Sequence, residues 1–240
     1  MRVPVAVLLW LVMATMALPS ALWAKGKPLW KFKAMMGEKV TGRFDFGVVH
    51  RDEKVFVVSA FYAGEKALQP PEKKKKLKPV RRAYGELTEQ GTLGRYKRWD
   101  IRDQVERYWM TFVYKGKVKV RYEKGPGAKG EVEEMGEREA VVPLDGGQPQ
   151  FAYLLADAGE SGREVACVGV SPPTWGKATV VFSGPDEVTL TGTPEEKRKV
   201  DRWDILGDCG QFKVYLDATK EPVLITMGEV RYERIATDPK

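Results

Sequence analysis

The chain has 240 residues, with 40 Lys and Arg against 33 Asp and Glu and a formal charge of +7. A hydrophobic share of 43% beside a charged share of 30% is that of a folded globular protein and excludes a disordered chain. One histidine and two cysteines exclude a structural zinc site, which needs four Cys or His ligands at close spacing.

Arg2 opens the chain and is followed by Val3–Ala24, a run without a charged residue that contains Val5-Ala6-Val7-Leu8-Leu9-Trp10-Leu11-Val12. A positive start, an apolar stretch and a small residue at the end are the parts of a secretory signal in order. Pro19 and Ser20 break the helical run, and Ala21-Leu22-Trp23-Ala24 places cleavage after Ala24. The rival is an uncleaved anchor, since about 20 apolar residues span a bilayer. Against it stand Lys25, Lys27, Lys31 and Lys33, which would face outward against the positive-inside tendency. The expectation is residues 1–24 as a signal peptide and residues 25–240 as one β-rich exported domain, soluble in the periplasm or outside the cell. Export makes nucleic acid an unexpected partner for the basic charge. Anionic headgroups and envelope polymers fit it.

The mature chain is patterned with period two. Val40, Gly42, Phe44, Phe46 and Val48 alternate with Thr41, Arg43, Asp45, Gly47 and Val49, as a strand with one buried face should. Further strands are predicted over 54–62, 82–87 and 93–99. Tyr108–Tyr114 and Lys117–Tyr122 form a hairpin about Lys115-Gly116. The C-terminal part continues with strands over 164–170, 177–182, 187–191, 212–217, 222–227 and 229–235. The predicted class is therefore mainly all-β: an antiparallel meander, half-barrel or barrel. One helix is expected after Gln148. Pro149 suits its first turn, Phe151, Leu154 and Leu155 form its apolar stripe, and Gly159 stops it, so that it packs on or plugs the sheet.

Two segments read as loops. One is 69–79, whose run Lys73, Lys74, Lys75 and Lys76 is either a solvated loop or a contact for phosphate-bearing lipid. The other is Gly125–Gly136, which would join two halves of the domain near 124–136. It contains a G-x-G-x-x-G match at Gly125–Gly130, but Glu131, Glu133 and Glu134 follow where a phosphate site needs a helix N-terminus. Arg98-Trp99-Asp100-Ile101 recurs as Arg202-Trp203-Asp204-Ile205. It is either a trace of duplication or core packing with an ion pair at the edge.

Catalytic equipment is missing from the pattern. His50 lies in a polar turn, and no G-x-S-x-G elbow stands to partner it. Carboxylate pairs are too numerous to single one out. No metal or cofactor is expected, and the chain does not read as an enzyme. Cys167 and Cys209 form either a disulfide or two buried thiols.

The order of the helix after Gln148, the strands over 164–170, 177–182 and 187–191, Leu216-Asp217, Pro222-Val223-Leu224-Ile225 and Glu229-Val230-Arg231-Tyr232 resembles a bacterial exported domain family of unknown function. That family is similar to the lipoprotein-carrier half-barrels, whose curved antiparallel sheet encloses an apolar cavity. The resemblance covers the C-terminal half alone. The reading is a non-enzymatic envelope protein that binds an apolar or lipid-like ligand inside the curved sheet, with Phe44, Phe46, Trp109, Phe112, Phe182, Trp203 and Phe212 as candidate lining, each of which is otherwise ordinary core. The alternative is an adaptor that docks another envelope component through a sheet edge or the basic loop.

Overall fold

Alternating patterns become strands, and the strands join a single sheet. The computed structural model describes residues 30–51, 54–69, 77–88, 93–102, 105–114, 117–123, 131–137, 141–144, 149–170, 173–191 and 196–235. Its strands are β1 (Trp30–Met36), β2 (Lys39–Arg51), β3 (Lys54–Ala63), β4 (Arg81–Thr88), β5 (Leu93–Arg102), β6 (Val105–Tyr114), β7 (Lys117–Glu123), β8 (Glu131–Glu137), β9 (Val141–Pro143), β10 (Glu164–Val170), β11 (Pro173–Leu190), β12 (Glu196–Gly207), β13 (Gly210–Leu216), β14 (Pro222–Met227) and β15 (Val230–Arg234). They pair in the order β8-β7-β6-β5-β4-β3-β2-β1-β15-β14-β13-β12-β11-β10-β9. Neighbours are antiparallel, apart from the parallel pair β9 and β10. β9 comes back against β5, so the twelve strands from β5 through β1 and β15 to β9 make a nearly closed barrel. β6, β7 and β8 continue the sheet past that seam. This is the antiparallel barrel with one packed helix that the patterning predicts.

All twelve barrel strands contribute to one core. Phe32, Phe44, Val57, Ala83 and Tyr96 come from β1 to β5, and Val142, Cys167, Val180, Ile205, Phe212, Ile225 and Tyr232 come from β9 to β15. Helix α1 (Pro149–Asp157) completes it. A surface helix buries one stripe, yet α1 buries Pro149, Gln150, Phe151, Ala152, Tyr153, Leu155 and Ala156. It therefore lies inside the barrel as a plug. Phe151 meets Tyr96 edge-on with centroids 5.6 Å apart, and Tyr153 packs on Trp30 at 5.1 Å and Phe46 at 5.7 Å. Gln150 Nε2 donates to Ser59 Oγ at 3.3 Å, placing its polar end on β3. Gly85 makes room for Phe151: a Cβ there would sit 2.8 Å from Phe151 Cζ.

Several elements differ from the sequence reading. Gly125–Gly136 is not loop throughout, since 131–137 pairs as β8 with β7. The register sets Glu137 opposite Lys117 and Glu134 opposite Lys119. β1, β9 and β12 were not predicted as strands. The separate strands expected over 177–182 and 187–191 are one strand, β11, bent at a register shift between Phe182 and Gly184. Gly184 has φ 97, a conformation that favours glycine.

The bend lets the distal halves of β11 and β12 lie across the outer side of β13 and β14, where Val188, Leu190, Val200, Tyr215, Val223 and Leu224 form a second cluster. The end of this strap is latched at Glu233, which is 2% exposed. Thr191 donates to Glu233 Oε2 from its backbone N at 3.2 Å and its Oγ1 at 2.5 Å, and Lys33 Nζ lies 3.0 Å from the same oxygen. Arg231 Nη2 stands 2.6 Å from Oε1. Burial opposes ionisation of Glu233, but hydrogen bonds from Thr191 and Lys33 and the charges of Lys33 and Arg231 outweigh it and hold the carboxyl below its ordinary 4.5. A depressed folded value stabilises the fold above the unfolded value and ceases to do so as pH falls through the folded one. Glu233→Gln should accordingly lower the urea midpoint at pH 7, and the gap to wild type should shrink as pH drops below about 4.5. A gap independent of pH would contradict the latch.

Of the two alternatives for the cysteines, the structure has the disulfide. Cys167 of β10 and Cys209 of the β12–β13 turn are bonded with Cα atoms 6.1 Å apart, which clips the strand next to the seam across β11.

Candidate functional site

The apolar residues expected to line a cavity separate into three groups. Phe44, Phe46 and Phe212 are fully buried in the core, where Phe32 stacks on Phe46 at 5.2 Å and Phe44 packs on Tyr232 at 5.2 Å. All three belong to the core cluster that Phe151, Ala152, Tyr153, Leu155 and Ala156 of α1 also enter. Trp109 and Phe112 fall on β6, beyond the seam and outside the twelve barrel strands. Phe182 and Trp203 differ from both groups. They are directly opposite in the β11–β12 register, with ring centroids 4.9 Å apart, and Phe182 is 42% exposed.

The pair ends the inward face. Val180 and Ile205, each two residues away on the same strands, are wholly buried, and Trp203 still packs against the core. Ser161, just past the end of α1, accepts a hydrogen bond from Phe182 N at 3.0 Å through its Oγ. The two rings thus stand at the mouth where α1 terminates. Elsewhere on the barrel, Trp30 of β1 and Tyr153 of α1 meet edge-on with centroids 5.1 Å apart. Burial, followed by the charges of Asp157, Glu221 and Asp217, pushes the Tyr153 hydroxyl above its usual range and keeps it a neutral donor. Burial likewise raises Asp157, against the opposing charges of Lys220 and His50. Arg234 Nη1 contacts Glu221 Oε2 at 2.7 Å, in the β13–β14 turn where Asp217 Oδ1 accepts from Thr219 N and Glu221 N. Tyr153 therefore stands beside a charged turn.

Trp30, Tyr153, Asp157 and Lys220 were not among the predicted site residues. A signal for the first existed: Trp30, Phe32 and Ala34 alternate with Lys31 and Lys33 as a half-buried strand does. Lys25, Lys27, Lys31 and Lys33 mask that alternation with the look of a signal-peptide flank. His50 is exposed at the end of β2. Lys73, Lys74, Lys75 and Lys76, and Gly125–Gly130, lie outside the described residues.

The repeated tetrapeptide does not mark equivalent places. In the second copy Arg202 and Asp204 form an outward ion pair, with Arg202 Nε and Nη2 donating at 3.1 and 2.8 Å, and Ser183 Oγ donates to Asp204 Oδ2 at 2.6 Å. Trp203 and Ile205 face the core. In the first copy Arg98 is itself buried, two residues from Tyr96 on the barrel's inward side. The letters coincide, while Arg98 and Arg202 lie on opposite faces.

Among the described residues, no helix is long and apolar enough to cross a membrane. No protein-family model matches the chain, and no curated protein does. Among solved structures, the chain is similar to a beta-barrel-like protein of the domain of unknown function DUF1849 from Brucella abortus, with 13% sequence identity, a TM-score of 0.48, and coverage of 86% of this chain and 94% of that one.

Proposed function

We propose that the protein is a non-enzymatic exported envelope protein that takes an apolar, lipid-like group at the mouth of its barrel, against Phe182 and Trp203. The observation that carries this reading is the exposure of Phe182 beside Trp203 at the end of an otherwise filled inward face. Fully burying a phenylalanine side chain is worth about 1.5–3 kcal/mol, and the 42% of Phe182 still exposed leaves roughly 1 kcal/mol of that open to a ligand. Binding sites are largely apolar with a few polar groups at the edge, and the Phe182–Trp203 pair has Ser161 and the Arg202–Asp204 ion pair close in the chain or bonded to it. The apolar ligand implied by the resemblance to lipoprotein-carrier half-barrels is retained, but it is moved from the sheet interior, occupied by α1, to the rim. The disulfide and the apolar N-terminal run support export.

Native mass spectrometry of the purified exported protein, followed by solvent extraction, tests the reading. Wild type should carry a lipid at one per chain, and Phe182→Ala/Trp203→Ala should lose it while keeping its far-UV circular dichroism. A wild type that neither carries nor takes up lipid refutes the function. A double variant that keeps the lipid refutes the location.

A further inference from the structure

We propose that the distal β11–β12 hairpin is an acid-released strap: when Glu233 is protonated, the hairpin swings off the outer face of β13 and β14 about Gly184 while the barrel stays closed. The register shows how little opening would break. Residues 186–190 of β11 pair with 196–200 of β12, whereas β12 meets β13 from Asp201 onward and β10 meets β11 at Pro173–Thr179. Beyond the bend the hairpin therefore forms no ladder with a third strand, and lifting it leaves the barrel pairings intact. Its apolar seat is separate as well: Val188, Leu190 and Val200 pack with Tyr215, Val223 and Leu224 in a cluster distinct from the barrel core. Lys197 Nζ and Glu187 Oε1, 3.4 Å apart, tie its two strands to each other. Gly184, with φ 97 at the register shift, supplies the hinge. A segment with a small contact area of its own opens locally at lower free energy than the whole fold.

Four side chains of the body hold the end of the strap. Thr191 donates to Glu233, Lys33 Nζ donates to the Thr191 carbonyl, Arg231 Nη2 donates to the Thr189 carbonyl at 3.2 Å, and Thr191 Oγ1 lies 3.6 Å from Met35 Sδ. One carboxylate serves both cations: Lys33 stands opposite Glu233 on β1, and Arg231 lies two residues before it on β15. The next charges outward, Arg43 opposite Lys33 on β2 and its neighbour Asp45, engage each other at 3.0 Å, and the β14 partner of Glu233 is the apolar Leu224. Among the described residues, protonation thus leaves Lys33 and Arg231 without the anion they share, and Thr191 without its charged acceptor. The folded carboxyl titrates below its ordinary 4.5, so the latch is whole at neutral pH and fails as pH falls under that value. Opening would present Tyr215, Val223 and Leu224 to solvent.

Hydrogen exchange of the full protein, followed by mass spectrometry and corrected for the intrinsic rate at each pH, tests the strap and the barrel separately. In wild type, protection of 186–190 and 196–200 should fall about tenfold or more between about pH 6 and about pH 3.5, while that of β2 and β13 holds. In Glu233→Gln the strap should exchange about tenfold faster than in wild type at the higher pH and lose little more on acidification. Strap protection that tracks β2 and β13 at every pH would mean that the hairpin opens only when the protein unfolds, and overturns the proposal. Wild-type strap protection that does not change with pH also overturns it, as does a Glu233→Gln strap as protected as that of wild type. The wild-type series decides the matter by itself should the variant fail to fold.

Discussion

Phe151→Ala should destabilise the protein by about 3–5 kcal/mol, read as a shift of the urea midpoint followed by far-UV circular dichroism. Phe151 is wholly buried between α1 and the β4–β5 wall, edge-on to Tyr96 and over Gly85, so its loss leaves a void that twelve hydrogen-bonded strands cannot easily collapse into. Gly85→Ala makes the converse change. Its methyl would meet the Phe151 ring at 2.8 Å and should cost about 1–3 kcal/mol by overpacking. Because both act on one contact, the effects should not add. In the Phe151→Ala background the Gly85 methyl enters vacated space, and its cost should vanish or reverse. Additive losses would mean that the helix does not press on β4, and the plugged barrel would be wrong.

Opening the disulfide should cost a comparable amount. The cysteines are 42 residues apart, and the loop-closure model assigns a crosslink of that span roughly 4 kcal/mol. Serine at the wholly buried Cys167 would add a desolvation cost of its own, so reduction of wild type by dithiothreitol is the cleaner comparison. Both the reduced protein and Cys167→Ser/Cys209→Ser should unfold at lower urea. Hydrogen exchange should rise first in β9 and β10, because β9 is held by three residues of parallel pairing and β10 by β11 and the clip. A midpoint unmoved by reduction would show that the bond adds nothing to the seam.

The barrel was legible where alternation is clean. β2, with Phe44 and Phe46 against Arg43 and Asp45, and the β6–β7 hairpin around Lys115-Gly116 can be read directly, as can a helix bounded by Pro149 and Gly159. β8 was hidden because its glutamates look like a solvated linker until the register sets two of them across from lysines. β11 was divided because Gly184-Pro185 reads as a turn, whereas in a long hairpin the same residues bend a strand without ending it. β12 was missed because its first half, Glu196-Lys197-Arg198-Lys199, belongs to the strap and carries charge rather than a buried face.

The site was legible only as a set of apolar residues. Period two tells which face of the sheet a residue occupies, not how far along the barrel it stands. Phe46 and Phe182 therefore look alike in the sequence, though one is sealed beneath α1 and the other stands at the rim. The depth difference arises from the Gly184 bend and from a helix threading the lumen, both of which depend on pairings distant in the chain.

Amide chemical-shift mapping with a monomeric single-chain phospholipid tests the location of binding most directly. The account predicts saturable perturbations at Ser161–Arg163, Phe182–Gly184 and Arg202–Trp203, with the amides of Phe44, Phe46 and Phe212 unmoved. Perturbations centred on those three interior phenylalanines would mean that ligand displaces α1 and enters the barrel, contradicting a binding site at the mouth.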